Sequence, residues 1–166
     1  MIETQIKEEF TRRMKEESLM RINACLDFMT EENIWYSPNE NVNSAGNLVL
    51  HLCGNINQYI NATLGGENDN RERSLEFTAD KSHNKIALQK KISTVITKAV
   101  QVINNQTLEL FTKEYDVQGF REKGIAIVIH VIEHTSYHTG QITTLCKWLE
   151  NVDTKYYDGL DLDITS

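Results

Sequence analysis

The chain is predicted to be all-α, an antiparallel up-down-up-down four-helix bundle, and three features predict it. One proline and eight glycines leave few breaks in 166 residues. No segment sustains the period-two alternation of a half-buried strand. Four stretches of roughly 20 to 30 residues, long enough for bundle helices at about 1.5 Å per residue, carry apolar side chains at helical spacing.

The first helix is expected from about Ile2 to Met29, where Ile6, Phe10, Met14, Ile22, Cys25 and Met29 keep a helical step. Ser37-Pro38-Asn39-Glu40 has the form of a capping box with proline at the first helical position, with Asn43 or Ser44 as alternative caps for the second helix. That helix is expected to run to Leu64 and stop at Gly65-Gly66. After a polar connection, Leu88, Ile92, Val95, Ala99 and Val102 form a stripe that predicts a third helix from about Ser82 to Asn105. The stretch from Thr107 to Phe120 reads as irregular. The last helix is expected from about Arg121 to Glu150, with a polar tail from about residue 151, and the whole chain, 1–166, is expected to form one domain.

Composition narrows the function classes. With 24 acidic and 17 basic side chains, a net charge of -7 argues against nucleic-acid binding through a basic surface. Met1 to Phe10 is charged and amphipathic rather than apolar, and no stretch approaches the ~18 apolar residues of a membrane span, so a cytoplasmic protein is expected. Cys25, Cys53 and Cys146 are odd in number and lie in apolar helical patterns, which predicts reduced core thiols.

His134 and His138 carry the chemistry. At about 100° per residue, Ile127, Val131, Ile142, Leu145 and Leu149 all fall within roughly 60 to 80° of His134, and His138 falls among them. Two imidazoles therefore point where a core should be. Each must satisfy both ring nitrogens, by hydrogen-bonding core partners or by giving one lone pair each to a shared ion, and the i, i+4 pair favours the ion. A third donor is available in His51 on the second helix, although the wheel puts it at the edge of the apolar arc beside Asn47, Asn55 and Gln58, where a solvated polar face would explain it equally well. His130 cannot join His134 and His138, because residues eight apart stand about 12 Å apart along a helix axis. Its off-centre position near Trp148 makes it a supporting residue, and His83 is expected to be exposed and idle. The string His130-Val-Ile-Glu133-His134 matches H-x-x-E-H, but Glu133 lies about 100° from His134 and reads as a surface carboxylate.

The segments Asn-Ser-Ala-Gly-Asn-Leu-Val-Leu-His51-Leu-Cys-Gly-Asn and Glu-His134-Thr-Ser-Tyr-His138-Thr-Gly-Gln141 together resemble the DinB-like superfamily. The chain is most similar to an uncharacterised subgroup with an Arg-x-Arg-x-x-Glu-Phe signature, here Arg71-Glu-Arg73-Ser-Leu-Glu76-Phe77. The resemblance spans roughly Glu40 to Glu150. It implies that His51, His134 and His138 hold one divalent metal ion at one end of the bundle, zinc or nickel being expected among the ions that three imidazoles accept. It also implies a homodimer and a small-molecule substrate, with a low-molecular-weight thiol leading, since the superfamily includes thiol-dependent S-transferases and isomerases.

Around that centre, Arg71 and Arg73 are candidates for an anionic group of a substrate, the alternative being a local ion pair with Glu72 or Glu76. Asn47, Asn55 and Gln141 are candidates to orient a ligand or a bound group. No catalytic acid or base is assigned. Two functions of different class follow: a metal-dependent enzyme, either a thiol transferase or a small-molecule hydrolase, and a non-catalytic metal-binding or stress-related module.

Overall fold

Short polar side chains set the start of three of the helices. In the computed structural model, which describes residues 1–79 and 81–165, Thr30, Ser44 and Asn84 each accept a hydrogen bond from a backbone N–H three residues on. The first run, α1 (2–28), joins Ile2–Thr11, a π-helical stretch Arg12–Leu19 and Met20–Phe28. A short turn of helix, α2, spans Glu31–Ile34. The second long run, α3 (45–64), joins Ala45–Ile56 to a π-helical end, Asn57–Leu64. The capping box at Ser37 does not form. Asn39 and Val42 instead close a turn, the Asn39 side chain accepts from the Asn41 amide at 2.9 Å, and Ser44 is the cap.

The polar connection after Gly66 holds a further short helix, α4 (Arg73–Thr78), and α5 follows over Lys85–Asn104. The buried stripe of α5 is Leu88, Ile92, Val95, Ile96, Ala99, Val100 and Ile103, with the expected Val102 only half-buried. The expectation of irregular chain to Phe120 is overturned. Helix α6 (Leu108–Thr112) leads into an antiparallel hairpin, β1 (Glu114–Val117) and β2 (Phe120–Lys123), so α7 begins at Gly124 rather than Arg121 and runs to Glu150. The turn between the strands has Gln118 and Gly119 at φ +52 and +83, the left-handed pair a two-residue hairpin requires.

Each long helix packs against two others: α1 against α5 and α7, and α3 against α5 and α7. Their apolar faces form one connected core. The tail after α7 is less polar in its role than expected, because Val152 and Tyr156 pack on that core and the Tyr156 hydroxyl lies 2.9 Å from the Cys25 thiol. All three cysteines are free and buried. No helix among the described residues is long and apolar enough to cross a membrane.

Gly124, at the hairpin-to-helix corner, and Gly140, within α7, make a contrasting pair. A Cβ on Gly124 would stand 2.0 Å from the Leu110 carbonyl oxygen, whereas one on Gly140 would meet nothing within 4 Å. Gly124→Ala is expected to lower the urea midpoint, and Gly140→Ala to raise stability by roughly 0.5 to 1 kcal/mol. Equal shifts for the two variants would contradict this packing.

Candidate metal centre

Every residue of α3 from Ser44 to Cys53 is buried. The polar side of the helix, which the wheel leaves open between solvent and a ligand site, is covered by the 69–79 segment, and His51 is only 5% exposed. Asn47 fastens that cover, its Nδ2 donating to the Glu76 carbonyl at 3.0 Å and the Ala79 carbonyl at 2.8 Å, while Ser44 Oγ donates to its Oδ1. Gly54 leaves the gap through which Glu76 reaches inward; a Cβ there would lie 1.9 Å from Glu76 Oε1.

Inside, Glu76 Oε2 accepts from His51 Nδ1 at 2.8 Å. Arg71 grips the same carboxylate with two bonds, from Nε at 2.7 Å and Nη2 at 3.0 Å, and its Nη1 donates to Gln58 Oε1 at 2.8 Å. Burial pushes the Glu76 carboxyl up, but the hydrogen bonds from His51 and Arg71 outweigh it and hold the group below its ordinary range. An ionised carboxylate only accepts, so a proton of His51 sits on Nδ1, and in the neutral imidazole that a metal requires Nε2 keeps the lone pair.

That lone pair faces α7. His51 Nε2 lies 2.9 Å from His134 Nε2. His138 gives its Nδ1 proton to Gln141 Oε1 at 2.7 Å, and the Gln141 amide is oriented by its own bond to the Tyr137 hydroxyl at 3.2 Å. The Nε2 of His138 is thereby also left as an acceptor. Among the described residues, His51, His134 and His138 form a group whose donor atoms all lie within 4.8 Å of one another and which can hold a metal ion. Three nitrogens about 2.0 to 2.1 Å from a tetrahedral ion stand about 3.4 Å apart, so small ring shifts suffice. Burial, then the neighbouring imidazoles, lower His134 to about 3, and burial lowers His138 against the pull of Gln141. Neutral imidazoles, the form a metal needs, are the stable form here.

The wheel had the burial order reversed. His134 and His138 are half-buried, and the centre of the α7 core face is held by Ile127, Val131, Thr135, Ile142 and Cys146, with Leu149 only half-buried. Thr135 and Thr139 are buried, and the Thr139 hydroxyl is satisfied by the Thr135 carbonyl at 2.7 Å, so two residues that count as polar by composition belong to the core.

His130 lies outside the three-histidine group. It is stacked between Tyr59 at 4.5 Å and His134 at 5.3 Å between centroids, rather than turned toward the exposed Trp148, and Asn55 Nδ2 is 3.5 Å from its Nε2. The buried Asn55 Oδ1 has no hydrogen-bond partner among the described residues. Glu133 is exposed. His83 is half-buried rather than exposed, its carbonyl accepting from the Trp35 indole at 3.1 Å. The two arginines part: Arg71 is enclosed in the Glu76 pair, and Arg73 is exposed above the Phe77 ring at 5.0 Å. Phe77 in turn stands 4.9 Å from the His51 ring, and Tyr137 meets His138 edge-on at 5.0 Å. The sequence leaves Gln58 open between a solvated face and the site, and gives Tyr59 no distinct role. Their position seven and eight residues after His51, two turns along the same helix, was the available signal.

The family described as "Protein of unknown function (DUF1572)" matches residues 4–158. Two solved structures share the fold. One is a DinB-like protein of Bacillus subtilis, YjoA, at 20% identity and a TM-score of 0.66, covering 90% of this chain and 94% of that one. The other is a DinB-like protein of Bacillus cereus ATCC 10987, at 18% identity and a TM-score of 0.63, covering 79% and 85%. No curated protein matches.

Replacing His51, His134 or His138 singly by alanine is expected to abolish stoichiometric zinc uptake, measured by calorimetry. His83→Ala should retain it, and Glu76→Gln and His130→Ala should weaken it by at most roughly 10 to 100-fold. Retention of full affinity by His134→Ala would overturn the assignment.

The metal-free protein should also lose stability on mild acidification. The folded value of His134, about 3, lies below its ordinary 6.5, so the unfolded chain takes up the proton first and stability falls as pH drops through 6.5. Urea midpoints between about pH 6.5 and 5, above most carboxylate titration, should fall in the wild type and fall less in His134→Ala. Parallel curves would rule out this linkage.

Proposed function

Starting from its membership of the DUF1572 family and its DinB-like fold, we propose that the chain holds one divalent ion, zinc or nickel, on His51, His134 and His138 and transfers a small-molecule thiol. The observation that carries this reading is the prior commitment of two Nδ1 protons, to Glu76 and to Gln141, which aims the Nε2 lone pairs of His51 and His138 into one small volume with His134. Three protein donors leave a position for an exogenous group. When bound, such an ion lowers the pKa of a coordinated thiol, so that thiolate is available at neutral pH.

The chain's own cysteines do not supply that sulfur. Burial pushes the Cys53 thiol up to about 12 and Cys146 likewise to about 12, and both are enclosed. A thiol reacting here therefore comes from a separate molecule. The half-buried His134 and His138, the latter edge-on to Tyr137, are where it would enter, with Phe77 against the third imidazole, His51. The same reading takes the four long helices as an up-down-up-down bundle and the working protein as a cytoplasmic homodimer.

One observation favours a second reading, a metal-holding module without turnover. A cavity of about 740 Å3 is lined by Gly54, Arg71 and Glu76 but by none of the three histidines. Hydrolysis of a small molecule through an activated water would use the same three histidines.

Metal analysis of the native protein, followed by a panel of low-molecular-weight thiols with a chromogenic electrophile such as 1-chloro-2,4-dinitrobenzene, separates these readings. Thiol conjugation should require the ion and disappear in His134→Ala. Equal rates with metal-free and metal-loaded protein would sink the transferase reading.

A further inference from the structure

Of the two arginines in the Arg-x-Arg-x-x-Glu-Phe segment, only one is left to meet a ligand. The Arg71 side chain is 4% exposed, and its Nε, Nη1 and Nη2 are all engaged with Glu76 and Gln58. Arg73 is exposed and has no ion pair or hydrogen bond among the described residues. Its guanidinium rests over Phe77 at 5.0 Å, and the Phe77 ring meets His51 at 4.9 Å with the planes tilted by 39°, so one aromatic ring separates this cation from a proposed metal ligand.

Contact with a ring face uses the charge of a guanidinium but none of its N–H groups, which remain in plane and free for a planar, two-oxygen acceptor. The contact also limits the rotamers of a side chain that otherwise loses much entropy on ordering. On a chain of net charge -7, an exposed cation held one ring away from His51 attracts an anion locally.

We infer that Arg73 binds the carboxylate of a thiol substrate whose sulfur reaches the ion, so that the preferred substrate is a small carboxylate-bearing thiol lying across Phe77. This inference rests on the three-histidine metal reading. Arg73 acts as a specificity-determining residue, and Phe77 positions it.

The test uses full-length protein loaded with cobalt(II), whose thiolate absorption band reports sulfur binding directly. It is titrated with mercaptosuccinate, which carries two carboxylates, and with 2-mercaptoethanol, which carries none, at fixed pH and ionic strength. Mercaptosuccinate is expected to bind about tenfold more tightly. Arg73→Gln should erase that preference while leaving cobalt stoichiometry and the 2-mercaptoethanol affinity in place, and Arg73→Lys should restore part of it. Equal affinities in the wild type, or an Arg73→Gln variant weakened equally toward both thiols, would overturn the inference. Failure to take up cobalt, or a missing thiolate band with either thiol, would instead bring down the metal reading beneath it, and appears before any Arg73 variant is made.

Discussion

The architecture around the three histidines depends on keeping one carboxylate ionised where there is almost no water. Glu76 is buried, and a lone buried carboxylate would take up a proton rather than remain charged. Arg71 prevents this with a bidentate grip, and His51 adds a third bond. The arrangement is costly to take apart, because removing one partner of a buried pair leaves the other uncompensated, typically at about 3 to 5 kcal/mol. Its return is chemical rather than energetic: a charged Glu76 fixes the tautomer of His51.

Much of the chain exists to hold that carboxylate. Asn47 hydrogen-bonds the backbone of the 76–79 segment, Gln58 takes the third Arg71 nitrogen, and Gly54 omits the side chain that would block Glu76. These three residues lie on one side of α3, so a single helix supplies a proposed ligand, its orienting shell and the space for both. On the far side of the histidines, His130 fills the gap between His134 and Tyr59, and the Tyr59 hydroxyl donates to Gln118 Oε1 at 2.8 Å. The hairpin turn is thus tied to the imidazole stack through one tyrosine.

The long helices were legible because apolar spacing and the scarcity of proline and glycine act along the chain itself. The hairpin was not. Its strands, Glu-Tyr-Asp-Val and Phe-Arg-Glu-Lys, are mostly exposed; the first alternates over only four residues, the second is exposed throughout, and the turn adds a single glycine. Burial at the centre was misjudged for a related reason: Thr135 and Thr139 hide their hydroxyls or lie inside the core face, which rotates its true centre away from His134. His51 looked peripheral because the segment that covers it returns from about 20 residues later, at Arg71 and Glu76. Periodicity reports which face of a helix is apolar, and says nothing of polar faces sealed by distant chain.

The enclosure of α3 also bears on the order in which the chain folds. His51 finds Glu76 25 positions along and His134 83 positions along. Contacts of such separation form late, once loop-closure entropy has been overcome. A nascent or unfolded chain can offer an ion only neighbouring histidines such as the i, i+4 pair of α7, a two-donor clasp without its oriented third member. Full coordination therefore requires the native topology, and metal that binds only the finished site pulls the folding equilibrium toward it by mass action.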